Sequence, residues 1–167
     1  KLLKDFSNLF ITRSFSKAYG LAGLRVGFGV GSPLIVNLMN RLRQPFNVNS
    51  FAQKLAVLAL NDSDFIKHSV SKNKTVRDVL IKELSSKDVF CLPSMANFVL
   101  AKVSDIKKFN NSSVSAGVNF FNLLLKHGII TRPVDNYNLH DWVRISVGTE
   151  RENSKFLDIF TQIIKRL

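Results

Sequence analysis

Residues 9–31 read LFITRSFSKAYGLAGLRVGFGVG, and this stretch decides how the rest of the chain is interpreted. Two hydroxyls, Ser14 and Ser16, stand immediately ahead of Lys17. Gly20, Ala22 and Gly23 then let the backbone approach a ligand closely, and Arg25 adds a planar guanidinium suited to a phosphate dianion. An amine and an anion site therefore fall within one short loop.

Pyridoxal phosphate makes both demands, a lysine for its aldehyde and a separate anchor for its phosphate, and no other common cofactor needs the pair. A Ser-Lys dipeptide alone is an ordinary solvated turn. Here seven positions share one frame, Ser-x-Ser-Lys-x-x-Gly-x-x-Gly-x-Arg-x-Gly, from Ser14 to Gly27. The frame resembles, without a gap, the lysine signature of the class I/II aminotransferases, the fold-type I pyridoxal-phosphate enzymes. That resemblance implies that Lys17 is the catalytic amine that condenses with the cofactor, and that Ser14, Ser16 and Arg25 hold the cofactor phosphate. A lysine at its reference pKa of ~10.4 is a poor nucleophile at neutral pH. Burial and the Arg25 cation are expected to bias Lys17 toward its reactive form.

With 167 residues, 46% of them hydrophobic, the chain is long enough to bury a sizeable core. Lysine and arginine outnumber aspartate and glutamate by 24 to 12, a net charge of +12. Such an excess can signal nucleic acid or a membrane surface. Here the lysines are scattered, with no basic run interleaved with aromatics, so a solvated surface and anionic small substrates explain them better. Cys91 is the single cysteine, which excludes an internal disulfide framework and suits a reducing compartment; between Phe90 and Leu92 it reads as core. No apolar run approaches the ~20 residues of a spanning helix, and no leader opens the chain, so a cytoplasmic protein is expected. The first residue is Lys1 rather than Met, which reads as a carboxy-terminal fragment.

Leu9–Thr12 reads as a buried strand ending at the Ser14 turn and Arg25–Gly31 as a second strand, with the lysine on the loop between them. Ser32-Pro33 opens a helix to about Arg43, and Gln44-Pro45 ends it. A further helix, capped by Asn49 or Ser50, is expected to turn Phe51, Leu55 and Leu58 inward. From Asp62 a long helix runs to about Ser85 with a stripe of Phe65, Ile66, Val70, Val76, Val79, Leu80 and Leu84. A smaller α/β unit follows: a strand at Phe98–Val103, a helix at Val114–His127 stopped by Gly128, strands at Ile129–Thr131 and Trp142–Val147, and a closing helix at Arg151–Leu167 with Phe156, Leu157, Phe160 and Ile163 inward.

The Pro45-Phe-Asn-Val-Asn49 loop narrows the resemblance toward the histidinol-phosphate aminotransferases within that family. In the second unit, Asn97 of Ser94-Met-Ala-Asn-Phe98 resembles a polar contact at the active-site mouth, although Asn before a strand is also an ordinary turn residue. Arg132 and Arg144 lie at or within strands flanked by apolar residues, where an arginine costs several kcal/mol unless an acid or an anion pairs with it. A structural salt bridge would serve; so would a substrate carboxylate. The resemblance assigns Arg144 the substrate carboxylate and Arg132 the far end of the substrate, and it gives Thr149 the cap of the last helix. His68, His127 and His140 lack the paired spacing of a metal site, so no metal is expected. There is no Gly-x-Ser-x-Gly elbow and no Gly-x-x-x-x-Gly-Lys-Ser/Thr loop.

The resemblance spans essentially the whole chain, while the chain spans about half of such an enzyme. It implies an α/β fold: residues 1–85 as the end of a large, mainly parallel, cofactor-binding domain with its connecting helix, and residues 86–167 as the small carboxy-terminal domain. It implies a homodimer acting on histidinol phosphate and glutamate or 2-oxoglutarate in histidine biosynthesis. It also implies that an aspartate at the pyridine nitrogen, an asparagine, and the tyrosines around the cofactor lie before Lys1, in roles that Tyr19 and Tyr137 cannot fill. A threonine-phosphate decarboxylase, an aromatic aminotransferase, and a non-catalytic fragment are the alternatives.

Overall fold

The computed structural model describes residues 1–106, 109 and 113–165. They form two compact units, Lys1–Val70 and Ser71–Leu167. After a single helical turn, α1 (Leu2–Asp5), the first unit holds β1 (Phe10–Ser14), β2 (Gly27–Gly31), α2 (Pro33–Leu42) and α3 (Ser50–Asn61). A long helix, α4 (Ser63–Ser85), runs through the division. The second unit continues with β3 (Phe98–Lys102), α5 (Ala116–Lys126), β4 (Arg132–Val134), β5 (Leu139–Ser146) and α6 (Glu150–Lys165). The closing helix was expected to reach Leu167, which lies outside the described residues.

In the first unit β1 and β2 pair antiparallel, Phe10 opposite Gly31 and Ser14 opposite Gly27. The Phe10 ring lies against the β2 backbone where a Cβ at Gly29 or Gly31 would stand, which is why this strand is built on glycine. The strands are not buried as expected. β1 grades from half-buried to exposed, and Phe28 and Val30 of β2 are each 44% exposed. A two-stranded ribbon has neither a neighbouring strand nor a layer to cover both faces. Its core is Phe15 and Val26 against Ala52 and Ala56 of α3.

Helix starts follow the sequence. Ser32 Oγ accepts from the Ile35 N–H, and Asn49 Oδ1 accepts from the Ala52 N–H at 2.8 Å. The inward face of α3 differs from the expected one. Phe51 and Leu58 are exposed, at 63% and 64%, while Ala52, Leu55, Ala56 and Ala59, one helical face, turn in. The bulky Phe15 needs small partners, so alanines take the contact that hydrophobicity alone would give to phenylalanine. Likewise α4 buries Val76, Arg77, Leu80 and Leu84 but leaves Phe65, Val70 and Val79 exposed and Ile66 only half-covered.

The second unit carries an antiparallel sheet of order β3-β5-β4. Alternation puts Val99, Ala101, Val143 and Ile145 on one face, buried against Phe120 and Leu124 of α5 and Phe156 and Phe160 of α6. The rings of Phe109, Phe120 and Phe160 meet edge to face at 5.6 Å, and Phe156 stacks on Phe160. α5 crosses β5 closely because Gly117 faces the Trp142 carbonyl where any Cβ would collide. Its end is a Schellman motif: Gly128, at φ 74°, donates to the Leu125 carbonyl and Ile129 to that of Leu124. Those bonds hold Ile129 in the cap, so the strand expected at Ile129–Thr131 starts only at Arg132.

Candidate active site

The first constellation sits on the connection between β1 and β2. Phe15, buried between the two serines, pins it. Its N–H donates to the Val26 carbonyl, its carbonyl accepts from Leu21, and its ring packs 4.8 Å from Tyr19 and 5.7 Å from Phe28. Around it Ser14 and Lys17 are exposed and Ser16 is half-buried. The Ser16 N–H donates to Ser14 Oγ at 3.0 Å, which leaves the Ser14 proton free to point at a ligand. A turn closed by the Gly20 N–H on the Lys17 carbonyl, with Gly20 at φ 70°, leads to a short 3-10 turn at Ala22–Leu24.

Arg25 follows in the left-handed region at φ 51°, a conformation that costs a non-glycine residue about 1 kcal/mol or more. One of its nitrogens donates back to the Ala22 carbonyl at 2.9 Å, which holds the guanidinium beside its own turn. Two hydroxyls, a guanidinium and a primary amine on one pinned loop form a donor set that fits a phosphate ester bearing an aldehyde. Ser14, Lys17 and Arg25 are all exposed in this chain. The burial expected to activate Lys17 is therefore not supplied by this unit. A groove of about 660 Å³, lined by Phe10, Phe28, Val36 and Met39 among others, lies on the ribbon and includes none of Ser14, Ser16, Lys17 and Arg25.

The second constellation is on the sheet of the second unit. Arg132 of β4 stands directly opposite Arg144 of β5, so the two side chains share a sheet face. Arg144 is half-buried, with its guanidinium carbon 5.2 Å from the centre of the Phe98 ring and its Nε buried without a hydrogen-bond partner among the described residues. Arg132 is exposed. Neither arginine makes an ion pair among the described residues. Like charges directly across a ladder destabilise it. Among the described residues a structural salt bridge therefore does not explain them, and the pair suits a ligand that carries anionic groups.

Asn97 is exposed at the head of β3, and its carbonyl accepts from the Val147 N–H at 2.9 Å, just past the end of β5. Ser94 brackets the same loop, accepting from the Ala96 N–H and donating to the Phe98 carbonyl. Two residues unremarked in the sequence also hold it: Asn73 Nδ2 and Arg77 Nη1 each donate to the Ala96 carbonyl at 3.2 Å. A signal was present, since Arg77 interrupts the Val76, Leu80, Leu84 face and Asn73 stands one turn before it.

Thr149 caps α6 as expected. Its N–H and hydroxyl donate to Glu152 Oε2, its Oγ1 accepts from the Glu152 N–H, and the Thr149 backbone donor first of all holds the Glu152 carboxyl below its ordinary range. Burial pushes the Cys91 thiol up to about 11. His140 pairs with Asp135 at 3.1 Å, and His68 is exposed. No cluster of metal-ligating side chains occurs among the described residues. None of the described helices is long and apolar enough to cross a membrane.

The family model for aminotransferase class I and II matches residues 1–160. A histidinol-phosphate aminotransferase of Methylobacillus flagellatus is 45% identical over 163 residues, 98% of this chain and 41% of the relative. Among solved structures, the histidinol-phosphate aminotransferase of Clostridium acetobutylicum superposes with a TM-score of 0.84 at 30% identity, covering 99% of this chain and 48% of that one. The enzyme of Sinorhizobium meliloti in complex with pyridoxal-5'-phosphate gives 0.79 at 26% identity, covering 97% and 42%. The chain thus spans about two-fifths of the length of the curated relatives it matches.

Proposed function

The chain belongs to the class I and II aminotransferases, and from that membership we propose that it is the carboxy-terminal part of a cytoplasmic, homodimeric histidinol-phosphate aminotransferase of histidine biosynthesis. In this reading the complete enzyme exchanges an amino group between histidinol phosphate and 2-oxoglutarate. Residues 1–85 belong to the large domain, with α4 as its connecting helix, and residues 86–167 form the small domain. The observation that carries the substrate assignment is the pair Arg132 and Arg144, opposed across the ladder with no carboxylate between them.

Pyridoxal phosphate, when bound, supplies the electron sink that makes the substrate's Cα–H bond acidic. Ser14, Ser16 and Arg25 hold its phosphate, the hydroxyls as donors and the guanidinium as a charge-assisted fork. Lys17 is on the same loop, and its Nζ would be the group that takes the proton from the substrate's Cα. Arg144 clamps the α-carboxylate of glutamate, backed by the Phe98 ring. Arg132 meets the phosphate of histidinol phosphate or the distal carboxylate of glutamate. Asn97 adds a polar contact at the mouth of the site.

The test uses the full-length enzyme, this chain joined to the amino-terminal part that its relatives carry. Amino transfer from histidinol phosphate to 2-oxoglutarate is the expected result. Release of carbon dioxide from threonine phosphate, or a preference for aromatic amino donors, would overturn the substrate assignment while leaving the family intact.

A further inference from the structure

We propose that Asn73 and Arg77 of α4 are positioning residues for the substrate end of the site, acting through the Ala96 carbonyl on Asn97. The inference rests on the reading of Asn97 given above. A carbonyl oxygen has two lone pairs, and here both are engaged, by Asn73 Nδ2 and Arg77 Nη1 at 3.2 Å each. The peptide between Ala96 and Asn97 cannot then rotate without breaking two bonds. On its far side the Asn97 carbonyl is tied to the Val147 N–H, three residues past Arg144. Ser94 Oγ closes the loop from within. Asn97 is thus held from α4 and from the end of β5, while its side chain stands in the open.

Arg77 is an expensive residue for a purely structural task. Its side chain is 8% exposed, its Nε is buried without a hydrogen-bond partner among the described residues, and its ion pair with the neighbouring, half-exposed Asp78 is a long 3.5 Å. Asp78 is engaged more closely by Lys74, at 2.7 Å. A well-packed aliphatic side chain would continue the Val76, Leu80, Leu84 face at no electrostatic cost. What such a residue could not do is donate to Ala96. Asn73 makes the same bond from one turn earlier, so the two share a target rather than a packing niche.

The experiment is a double-mutant cycle in the full-length enzyme with Asn73→Ala, Asn97→Ala and the pair, read as kcat and KM for histidinol phosphate, cofactor loading by absorbance, and Tm. Loss of one neutral hydrogen bond corresponds to about a two- to tenfold rise in KM. That rise is expected for Asn73→Ala, with kcat within about twofold, cofactor loading unchanged, and no further rise in the pair over Asn97→Ala alone. Arg77→Lys, which keeps the charge but not the fork, is expected to shift KM in the same direction. Because Arg77 variants could lose fold, the Asn73 arm decides. An unchanged KM for Asn73→Ala, full additivity in the pair, or parallel loss of cofactor loading and Tm would overturn the proposal. If Asn97→Ala alone leaves KM unchanged, the role given to Asn97 fails first and the positioning role falls with it.

Discussion

Replacing Arg132 by alanine in the full-length enzyme separates a substrate-binding arginine from a structural one. Arg132 is exposed, makes no ion pair among the described residues, and lies opposite Arg144. Removing it therefore breaks no ion pair among the described residues. It relieves a like-charge opposition, which destabilises a ladder. Tm is expected to stay level or rise slightly. Binding should behave in the opposite way. A charge-assisted hydrogen bond to a phosphate is worth about 1.5–3 kcal/mol, or roughly ten- to a hundredfold in kcat/KM. Steady-state rates with histidinol phosphate and with unphosphorylated histidinol give the comparison. The phosphorylated substrate should lose that factor and the unphosphorylated one little. Equal losses on both, or a fall in Tm that tracks the loss of rate, would show that Arg132 supports the sheet and not the substrate.

Three further outcomes follow from other parts of the chain. The isolated 167-residue chain is expected to bind pyridoxal phosphate weakly by absorbance titration and to turn over no substrate, because the residues proposed to hold the phosphate are present but Lys17 is exposed; robust turnover would contradict this. Gly117→Ala drives a Cβ into the Trp142 carbonyl, so urea denaturation should show a loss of about 1–3 kcal/mol, as for other overpacked sites. Glu152 has a folded-state pKa below its ordinary 4.5, so its cap contributes fully above that value and is lost as pH falls through the depressed one. Amide protection in the first turn of α6 should fall with acidification in that range, and Glu152→Gln should flatten the dependence.

Much of this was legible in the sequence because its physics is local. The loop between β1 and β2, the caps at Ser32, Asn49 and Thr149, and the stop at Gly128 each involve residues close to one another in the chain. The strands β3 and β5 were also legible, although β5 begins at Leu139 rather than Trp142. What failed depended on distant partners. The inward face of α3 follows the size of Phe15, some 40 residues earlier, and not the hydrophobicity of Phe51 or Leu58. The start of β4 moved because the cap of α5 keeps Ile129. Asn73 and Arg77 meet Ala96 across 23 and 19 residues, a pairing that no spacing rule announces. The opposition of Arg132 and Arg144 required the strand register.

Borohydride reduction of the loaded full-length enzyme, followed by peptide mapping, tests directly whether Lys17 is the amine that bonds the cofactor. Reduction should fix the pyridoxyl group on the peptide that carries Ser14, Ser16 and Lys17, and Lys17→Ala should abolish both the label and amino transfer. A label on any other lysine, or normal transfer by Lys17→Ala, would contradict the assignment of the whole 14–27 frame.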